Sequence, residues 1–513
     1  MLVKVFGAAV QGIDATLITI EVNCSKGIKF MLVGLPDASV KESHERIISA
    51  LQVNGYKFPR QQVIINMSPA DIRKEGSSYD LPLAIGIMAA SETLETGKLE
   101  EYMLMGELSL DGTILPVKGV LPIAIKAREL GFKGLIVPRK NAREAAVVNN
   151  LEVYGVDKIT EVVDFFNDKI TLTPVEINTR EEFLKRQFEF EFDFTDVKGQ
   201  ENVKRAIEVA AAGGHNLIMI GPPGAGKSMM AKRIPSILPP FTLQEALETT
   251  KIHSVAGRMN SDTSLMSVRP FRSPHHTISD VAMVGGGIYP QPGEISLAHN
   301  GVLFLDELPE FNRSVLEVLR QPLEDRLICI SRSKFSIEYP ASFMLVSSMN
   351  PCPCGYYNHP EKQCVCSQGA VQKYLNKISG PLLDRIDIQI EIVPVPFDKI
   401  SNAAVAENSE AIRNRVIKAR EIQAERFKKE PEIHCNAQMT SKLMRKYAAP
   451  DESGLKLLKQ AMDLFNLSAR AYDRILKVSR TIADLDGSVN ILPNHLAEAI
   501  NYRNLDRENW ANK

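Results

Sequence analysis

The chain has 513 residues, of which 44% are hydrophobic, so it is long enough for about three domains with sizeable cores. Its 61 basic and 62 acidic residues nearly balance, which excludes a global basic field and confines any nucleic-acid contact to local patches. No run approaches the roughly 20 apolar residues of a membrane span, and the start of the chain lacks the form of a signal peptide, so we expect a cytoplasmic protein without membrane contacts.

Residues 1–172 mix strand-like and helix-like periods, which is typical of an α+β domain. The strand-like runs are Leu17–Val22, Gln62–Asn66 and Gly134–Pro138, and the helical runs are Val40–Gln52, Leu83–Glu92 and Leu121–Leu130. The polar, charge-rich segment 173–195 is predicted to be a linker.

A complete phosphate-binding loop follows, and its eight residues are the predicted ATP-binding residues: Gly221, Pro222, Pro223, Gly224, Ala225, Gly226, Lys227 and Ser228. The apolar run Asn216–Ile220 before it predicts a buried strand, and Met229–Ile237 after it predicts a helix, which is the context that the motif requires. The glycines let backbone N–H groups surround phosphate oxygens at a helix N-terminus. We expect Lys227 to contact the outer phosphates and Ser228 to hold Mg²⁺.

The apolar run Gly301–Leu305 predicts a second strand, and it ends in Asp306 and Glu307. Such a strand brings its carboxylates to the sheet edge beside the phosphate loop. We expect Asp306 to bind Mg²⁺ and Glu307 to polarise the attacking water, since phosphoryl transfer needs an aligned nucleophile and compensated charge. Two adjacent acids at this place indicate hydrolysis rather than binding alone.

A hairpin is predicted further on, where Leu327–Ile330 and Phe335–Glu338 are strand-like and flank a short basic turn. Arg332 and Lys334 lie in that turn. In a ring of subunits they would form circles of positive charge able to follow DNA phosphates without reading bases. A solvated hairpin turn explains the same residues equally well.

Four cysteines, Cys352, Cys354, Cys364 and Cys366, lie within the short excursion 352–366. Cysteines of a cytoplasmic protein are more often free thiols or metal ligands than disulfides, and four of them close together favour a closed structural Zn²⁺ site. The C-x-C spacing differs from the commoner C-x₂-C, so free thiols and a redox or cluster role stay open. Catalytic zinc is disfavoured because four thiolates close the coordination sphere.

The nucleotide domain is predicted to span 196–396, and residues 397–513 are charged and helical in period. Four segments of this chain resemble the ComM/YifB family of magnesium-chelatase-like AAA+ ATPases. They are Gly221–Ser228, Arg272–His276, Gly301–Glu307 and Asn350–Gly355. The resemblance extends over nearly the whole chain.

The resemblance implies three parts: a domain similar to the proteolytic domain of Lon, an AAA+ core with a parallel sheet and helices on both faces, and an all-α lid. It also implies an inserted hairpin around Met283–Gly287 that faces a central pore. The resemblance further implies that the protein is a hexameric ATP-hydrolysing motor. Such a motor promotes DNA branch migration in homologous recombination, and it is best known from natural transformation.

Roles for three further residues are implied by the resemblance. Asn350 matches the sensor-1 position, where an amide orients the attacking water. Arg385 resembles the arginine finger that reaches the nucleotide of a neighbouring subunit, although an ordinary salt-bridged arginine is the alternative. Arg470 resembles the sensor-2 arginine, with Arg474 and Arg480 close enough to compete.

Proteolysis is not expected from the Lon-like domain. The positions of the Lon serine and lysine are occupied by Asp80 and Leu121, so neither a nucleophilic hydroxyl nor an activating amine is present there. The alternative is a shifted dyad formed from Ser77, Ser78, Lys118 or Lys126.

The sequence therefore predicts an ATPase motor that acts as a homo-hexamer on single-stranded or branched DNA, with recombination proteins as further partners. The alternative is a magnesium-chelatase- or MoxR-like ATPase that remodels a protein partner, because the same nucleotide machinery serves both. His275 and His276 are expected to be a hydrogen-bonding pair in a loop, with metal binding as the alternative.

Overall fold

The computed structural model describes residues 1–260, 262–287, 290–332, 335–357, 359, 361–394, 406–430, 432–465 and 467–503, with backbone alone at Arg332 and Phe335. The chain forms two units. Unit 1 contains Met1–Lys185 and Leu243–Ser267, and unit 2 contains Arg186–Thr242 and Val268–Lys513.

Unit 1 is built on a mixed seven-stranded sheet in the order β3-β4-β2-β1-β5-β8-β9. Its strands are β1 (Leu2–Gln11), β2 (Asp14–Ser25), β3 (Phe30–Val33), β4 (Gln62–Ser68), β5 (Tyr102–Leu104), β8 (Gly134–Pro138) and β9 (Glu152–Val156), and a small hairpin pairs β6 (Glu107–Leu108) with β7 (Ile114–Leu115). Strand β2 pairs antiparallel with β1 and β4, and the remaining pairs in the sheet are parallel. Alternate residues of β2, including Ile18, Ile20 and Val22, are buried, which is the period expected of a strand with one face on the core.

The helices of unit 1 are α1 (Ala38–Val53), α2 (Asp80–Ala90), α3 (Val120–Glu129), α4 (Arg139–Ala145), α5 (Ile159–Phe166), α6 (Thr179–Arg186) and, from the second segment, α9 (Leu243–Val255). Every residue of α2 is buried, so this helix forms the centre of the unit's core. Helix α6 lies inside the segment 173–195 that the sequence predicts as a linker.

Segment 243–267 packs with unit 1 although it lies within the predicted nucleotide domain. Lys251 contacts Asp14 at 3.1 Å, and Ser264 donates a hydrogen bond to Glu182 at 2.8 Å. The backbone N–H of Gly119 donates to the carbonyl oxygen of Ser254 at 3.0 Å. The paired residues are far apart in the sequence, so the composition of the segment could not predict that it packs with unit 1.

Unit 2 contains a five-stranded sheet in the order β11-β14-β17-β10-β18. Its strands are β10 (Leu217–Ile220), β11 (Phe271–Arg272), β14 (Val302–Leu305), β17 (Met344–Met349) and β18 (Ile388–Glu391), and all neighbours are parallel. The strands β10, β14 and β17 are buried along their whole length, as expected for a parallel sheet covered on both sides. Their carboxyl ends share one edge.

The remaining helices of the core are α7 (Glu201–Gly213), α8 (Lys227–Ala231), α10 (Asp280–Val284), α11 (Glu294–Leu297), α12 (Arg313–Val318), α13 (Pro322–Asp325), α14 (Gln368–Leu375) and α15 (Gly380–Leu383). Two hairpins pair β12 (Gly285–Gly286) with β13 (Gln291–Pro292) and β15 (Leu327–Arg332) with β16 (Phe335–Pro340). The helix predicted over Met229–Ile237 is shorter than expected: α8 ends at Ala231, and a 3₁₀ turn covers Ile234–Ile237. Pro235 has no N–H to donate to the preceding turn, which favours this break.

The carboxyl-terminal part is helical, with α16 (Ser409–Arg426), α17 (Ser441–Tyr447), α18 (Glu452–Phe465), α19 (Ala469–Leu485) and α20 (Pro493–Asn501). Side chains of α16 and α19, such as Val416 and Ile475, join one hydrophobic core with residues of α7 and the sheet. A parallel α/β module with a helical lid and an α+β amino-terminal part confirms the predicted fold class. Within the ranges given above, the structure contains no helix long and apolar enough to cross a membrane.

Candidate active site

The phosphate-binding loop lies at the carboxyl edge of the parallel sheet, between β10 and α8. Gly224 and Gly226 have φ of 79° and 87°, which only glycine adopts without strain, so the sequence requirement has a direct backbone cause. Gly221 donates from its N–H to the carbonyl oxygen of Met349 at 3.2 Å and so ties the loop to the neighbouring strand.

Lys227 is buried at the start of α8. Its ammonium group donates to the carbonyl oxygens of Gly221 and Pro222 at 2.7 and 3.0 Å and to the side-chain oxygen of Asn350 at 3.1 Å. Burial lowers the pKa of Lys227, and the nearby carboxylates of Asp306 and Glu307 oppose that shift. The predicted sensor amide and the predicted phosphate-binding amine thus meet in one place.

Asp306 follows β14 and is fixed by two hydroxyl groups. Ser228 donates to one of its carboxylate oxygens at 2.6 Å, and Ser348 of β17 donates to the other. A serine hydroxyl beside a carboxylate offers the hard oxygen ligands that Mg²⁺ prefers. Ser228 and Asp306 would therefore hold a magnesium ion, which would supply positive charge to the phosphate groups.

Glu307 differs from Asp306 in its exposure and backbone. Its side chain is 57% exposed, and its φ is 55°, in the left-handed region that glutamate seldom adopts. The Nδ1 atom of His276 lies 3.7 Å from its carboxylate. His276 belongs to the loop after β11, and this neighbour was not expected from the sequence.

Arg385 lies at the other edge of the sheet from the phosphate loop. Strands β10 and β18 run in register from Leu217 opposite Ile388 to Ile220 opposite Glu391, so a residue just before β18 is at the amino edge. The Arg385 guanidinium is 8% exposed, pairs with Glu324 at 2.6 Å and donates to the carbonyl oxygen of Pro381 at 2.6 Å. It is therefore remote from the phosphate loop of its own chain.

The three lid arginines have different surroundings. Arg470, which is 60% exposed, contacts Asp384 at 3.4 Å beside Arg385. Arg474 pairs with the buried Asp387 at 3.0 Å. Arg480 is buried and pairs with Asp484 of its own helix at 3.0 Å, which favours a role in stabilising the lid.

Asp387 joins the sheet to the lid through contacts that the sequence did not reveal. It accepts from the backbone N–H of Asn216 at 3.1 Å and lies 3.3 Å from Nδ1 of His215, whose Nε2 is 2.8 Å from the hydroxyl of Thr481. Burial raises the pKa of Asp387, but the guanidinium of Arg474 and the His215 imidazole outweigh it and hold the pKa well below its ordinary value. Burial also lowers the pKa of His215.

Comparison with protein families gives three matches along the chain. The family described as "Magnesium chelatase, subunit ChlI" matches residues 193–400, "Subunit ChlI of Mg-chelatase" matches residues 20–141, and "Magnesium chelatase, subunit ChlI C-terminal" matches residues 406–503. These spans include both units.

Individual relatives cover nearly the whole chain. Competence protein ComM of Haemophilus influenzae is 44% identical over 506 residues, which are 98% of this chain and 97% of the relative. Uncharacterized protein YifB of Escherichia coli is 44% identical over 504 residues, 97% of this chain and 96% of the relative. The chain belongs to the ComM/YifB family of magnesium-chelatase-like AAA+ ATPases. Membership implies an ATP-hydrolysing module that uses ATP with Mg²⁺.

The amino-terminal resemblance is borne out separately. Lon protease 2 of Bacillus subtilis is 29% identical over 125 residues, 24% of this chain and 22% of the protease. At the position expected for the Lon serine, Asp80 is buried and accepts from Nε and Nη2 of Arg46 at 2.6 and 2.8 Å. Leu121, at the position expected for the lysine, is fully buried.

Two residues of the alternative dyad, Ser77 and Lys126, have acidic partners. Ser77 donates to the carboxylate of Glu107, and Lys126 contacts Glu129 at 3.2 Å. Neither contact activates a serine hydroxyl through an amine, which is the chemistry that a Ser-Lys protease needs.

The four cysteines of the excursion 352–366 converge. Their sulfur atoms all lie within 4.8 Å of one another, and three of the pairs are 3.3, 3.5 and 3.6 Å apart. Four sulfurs around Zn²⁺ at about 2.3 Å would be about 3.8 Å apart, so small shifts of the sulfur atoms would accommodate the ion. The ring nitrogen Nδ1 of His359 instead accepts from the backbone N–H groups of Glu361 and Lys362.

The predicted β-hairpin is present, and both of its strands are longer than the sequence predicts. Strand β15 reaches Arg332, which pairs with Phe335 of β16. Lys334 lies outside the described residues, and so does the side chain of Arg332. At the base of the hairpin, the Tyr339 hydroxyl donates to the carbonyl oxygen of Pro290 at 2.8 Å, next to β13 of the inserted hairpin.

Proposed function

We propose that this ATPase assembles into a cytoplasmic hexameric ring that moves DNA and promotes branch migration in homologous recombination or natural transformation. The observation that carries the assembly of subunits in this proposal is the location of Arg385 and Arg470. Both lie at the sheet edge remote from their own phosphate loop, so they can serve nucleotide chemistry only in a neighbouring copy. The name of the relative, competence protein ComM, supports the part of the proposal that concerns natural transformation.

Within such a ring, each nucleotide site has contributions from two subunits. Lys227 binds the outer phosphates, Ser228 and Asp306 hold Mg²⁺, and Asn350 orients the attacking water. Glu307 accepts the proton of that water. Arg385 of the neighbouring copy exchanges its contact with Glu324 for the transferred phosphoryl group, and Arg470 acts from the same edge.

DNA contact is assigned to the β15–β16 hairpin. Six copies of a hairpin whose turn sequence contains Arg332 and Lys334 would line a pore with positive charge, which follows phosphates irrespective of base sequence. The contact of Tyr339 with Pro290 supports a joint movement of this hairpin with the inserted hairpin. Recombination proteins are further partners under this proposal.

We also propose that Cys352, Cys354, Cys364 and Cys366 hold a structural Zn²⁺. The clustering of four thiols on a short excursion supports it, because metal binding orders a segment that is too small to form its own core. Gly355, in the same excursion, has φ of 84° and lies against Pro223 of the phosphate loop, so the metal would stabilise one wall of the nucleotide site.

The test is junction processing by the purified full chain at fixed salt. Wild type should migrate a branched DNA substrate with ATP, and Arg332→Ala with Lys334→Ala should reduce DNA binding and migration while basal ATP hydrolysis persists. The matched control is Lys456→Ala with Lys459→Ala, which removes the same charge from exposed positions of helix α18. DNA affinity of the wild type should also fall steeply with salt, because phosphate neutralisation releases counterions.

Two results would contradict the proposal. A hairpin variant that processes junctions as well as the wild type would remove the hairpin from the DNA path. A wild type that hydrolyses ATP without DNA stimulation and is inert on every branched substrate would favour remodelling of a protein partner instead.

A further inference from the structure

His276 lies beside the water-activating carboxylate for a topological reason. Strand β11 is the parallel neighbour of β14, with Phe271 opposite Val302 and Arg272 opposite Leu303. The residues after β11 therefore emerge at the same sheet edge as Glu307, and Nδ1 of His276 comes within 3.7 Å of the Glu307 carboxylate.

The imidazole ring of His276 contacts two other rings. The ring of His275 lies 4.1 Å away at an interplanar angle of 33°, and the ring of the buried Phe311 lies 6.4 Å away, edge-on at 79°. His275 is itself fixed, because its Nδ1 lies 2.9 Å from the hydroxyl of Thr277. These two ring contacts limit the orientations of the His276 ring, whose Nδ1 lies 3.7 Å from the Glu307 carboxylate.

The loop that carries His276 is closed at its base by a strong ion pair. Nε and Nη2 of Arg272 donate to the two carboxylate oxygens of Glu294 at 2.6 and 2.7 Å. Such bidentate pairs fix geometry as well as contributing energy. The pair joins the strand before the loop to helix α11 after the inserted hairpin, so His276 is presented from a fixed frame.

Glu307 needs such a partner more than its neighbour does. Asp306 is fixed by two hydroxyl groups, whereas the Glu307 side chain is largely exposed and has three rotatable torsions. A freely rotating carboxylate is directed at the attacking water for only part of the time, and misalignment of a general base lowers the rate.

We propose that His276 is a positioning residue for Glu307: its Nδ1–H holds the carboxylate where it can accept a proton from the attacking water. In the hydrolysis step the water oxygen bonds to the γ-phosphorus, the bond from that phosphorus to the bridging oxygen breaks, and ADP leaves with the electron pair. The water proton goes to Glu307, and His276 keeps its own. The 3.7 Å separation is longer than a hydrogen bond, and such contacts shorten when substrate is bound. The proposal rests on the assignment of Glu307 in the proposed function.

The experiment compares three variants of the full chain by steady-state ATP hydrolysis. His276→Ala should lower kcat about 3- to 10-fold, the loss expected when one or two torsions become free, with KM for ATP unchanged. His276→Asn puts an amide N–H where Nδ1 was and should retain most of the activity. His276→Gln puts the amide at the position of Nε2, away from Glu307, and should behave like His276→Ala. His434→Ala, at an exposed histidine of the lid, is the matched control and should match the wild type.

Binding of a fluorescent ATP analogue and thermal unfolding establish that each variant is folded. If His276→Ala unfolds early, the comparison of Asn with Gln decides. An unchanged or raised kcat in the Ala and Gln variants, equal activity of Asn and Gln, or a raised KM in place of a lowered kcat would overturn the assignment. A wild type that binds ATP without hydrolysing it would instead refute the proposed function, independently of His276.

Discussion

Replacing Glu307 with glutamine should separate ATP binding from ATP turnover. The substitution keeps the size of the side chain and removes its basicity, so the attacking water loses its proton acceptor. The carboxylate is 57% exposed, whereas Lys227 is held by Gly221, Pro222 and Asn350 and is left intact. We therefore expect Glu307→Gln to bind ATP as the wild type does and to stop at that step.

The magnitudes follow from what each side chain contacts. General-base catalysis contributes about 10²- to 10⁴-fold, so kcat should fall by that factor, equivalent to about 2.7–5.5 kcal/mol of barrier. Lys227→Ala removes at least one charge-assisted hydrogen bond to phosphate, worth about 1.5–3 kcal/mol, and should weaken ATP binding about 10- to 150-fold. The two variants thus fail at different steps.

The assay pairs equilibrium binding of a fluorescent ATP analogue with phosphate release at saturating ATP. Glu307→Gln should show wild-type affinity and little phosphate release, and Lys227→Ala should show weak binding. Hydrolysis by Glu307→Gln at the wild-type rate would refute the assignment of the water-activating group. Wild-type affinity in Lys227→Ala would refute the assignment of the phosphate-binding amine.

Three further predictions concern assembly, metal and stability. If Arg385 acts on the neighbouring subunit, a mixture of inactive Lys227→Ala and inactive Arg385→Ala chains should recover part of the ATPase activity; a co-assembled mixture that stays inactive would count against the finger. Elemental analysis should find about one zinc per chain in the wild type and none in Cys352→Ser, whereas metal-free wild type with full activity would return the cysteines to free thiols. Asp387→Ala removes one partner of a buried charge network and should cost about 3–5 kcal/mol of unfolding free energy by denaturant titration, against less than about 1 kcal/mol for Asp384→Ala, whose contact is exposed. Because the folded-state pKa of Asp387 is lowered, its contribution to stability is present above about pH 4 and is lost as the pH falls through the folded-state value. The difference in unfolding free energy between the wild type and Asp387→Ala should therefore shrink in acid.

Local chemistry explains which parts of the fold were predictable. Gly134–Pro138 is the strand that its apolar run predicts, and the phosphate loop has the strand and helix that its motif requires. In both cases the deciding residues are neighbours in the chain. The early end of α8 is also local, and Pro235 was the signal available for it.

Contacts between distant residues explain what was missed at the site. His215 meets Asp387 across 172 positions of sequence, and Arg272 meets Glu294 only because the inserted segment returns to its starting point. A single sequence contains no signal for such pairs, since each residue type is common on ordinary surfaces. The pairing of His276 with Glu307 could have been expected only after the order of the parallel strands was known.

Contacts between distant residues also decide to which unit segment 243–267 belongs. It lies within the span 193–400 that matches the chelatase family, yet its side chains complete the core of unit 1. Burial raises the pKa of Glu144, and the hydroxyl of Ser254 opposes that shift by donating to the carboxylate, as does the backbone N–H of Leu121 at 3.1 Å. Without this segment the buried carboxylate would lose one of its donors, and a buried polar group that lacks partners is costly. The segment therefore belongs to unit 1, and the chain passes between the two units at three places, after Lys185, Thr242 and Ser267.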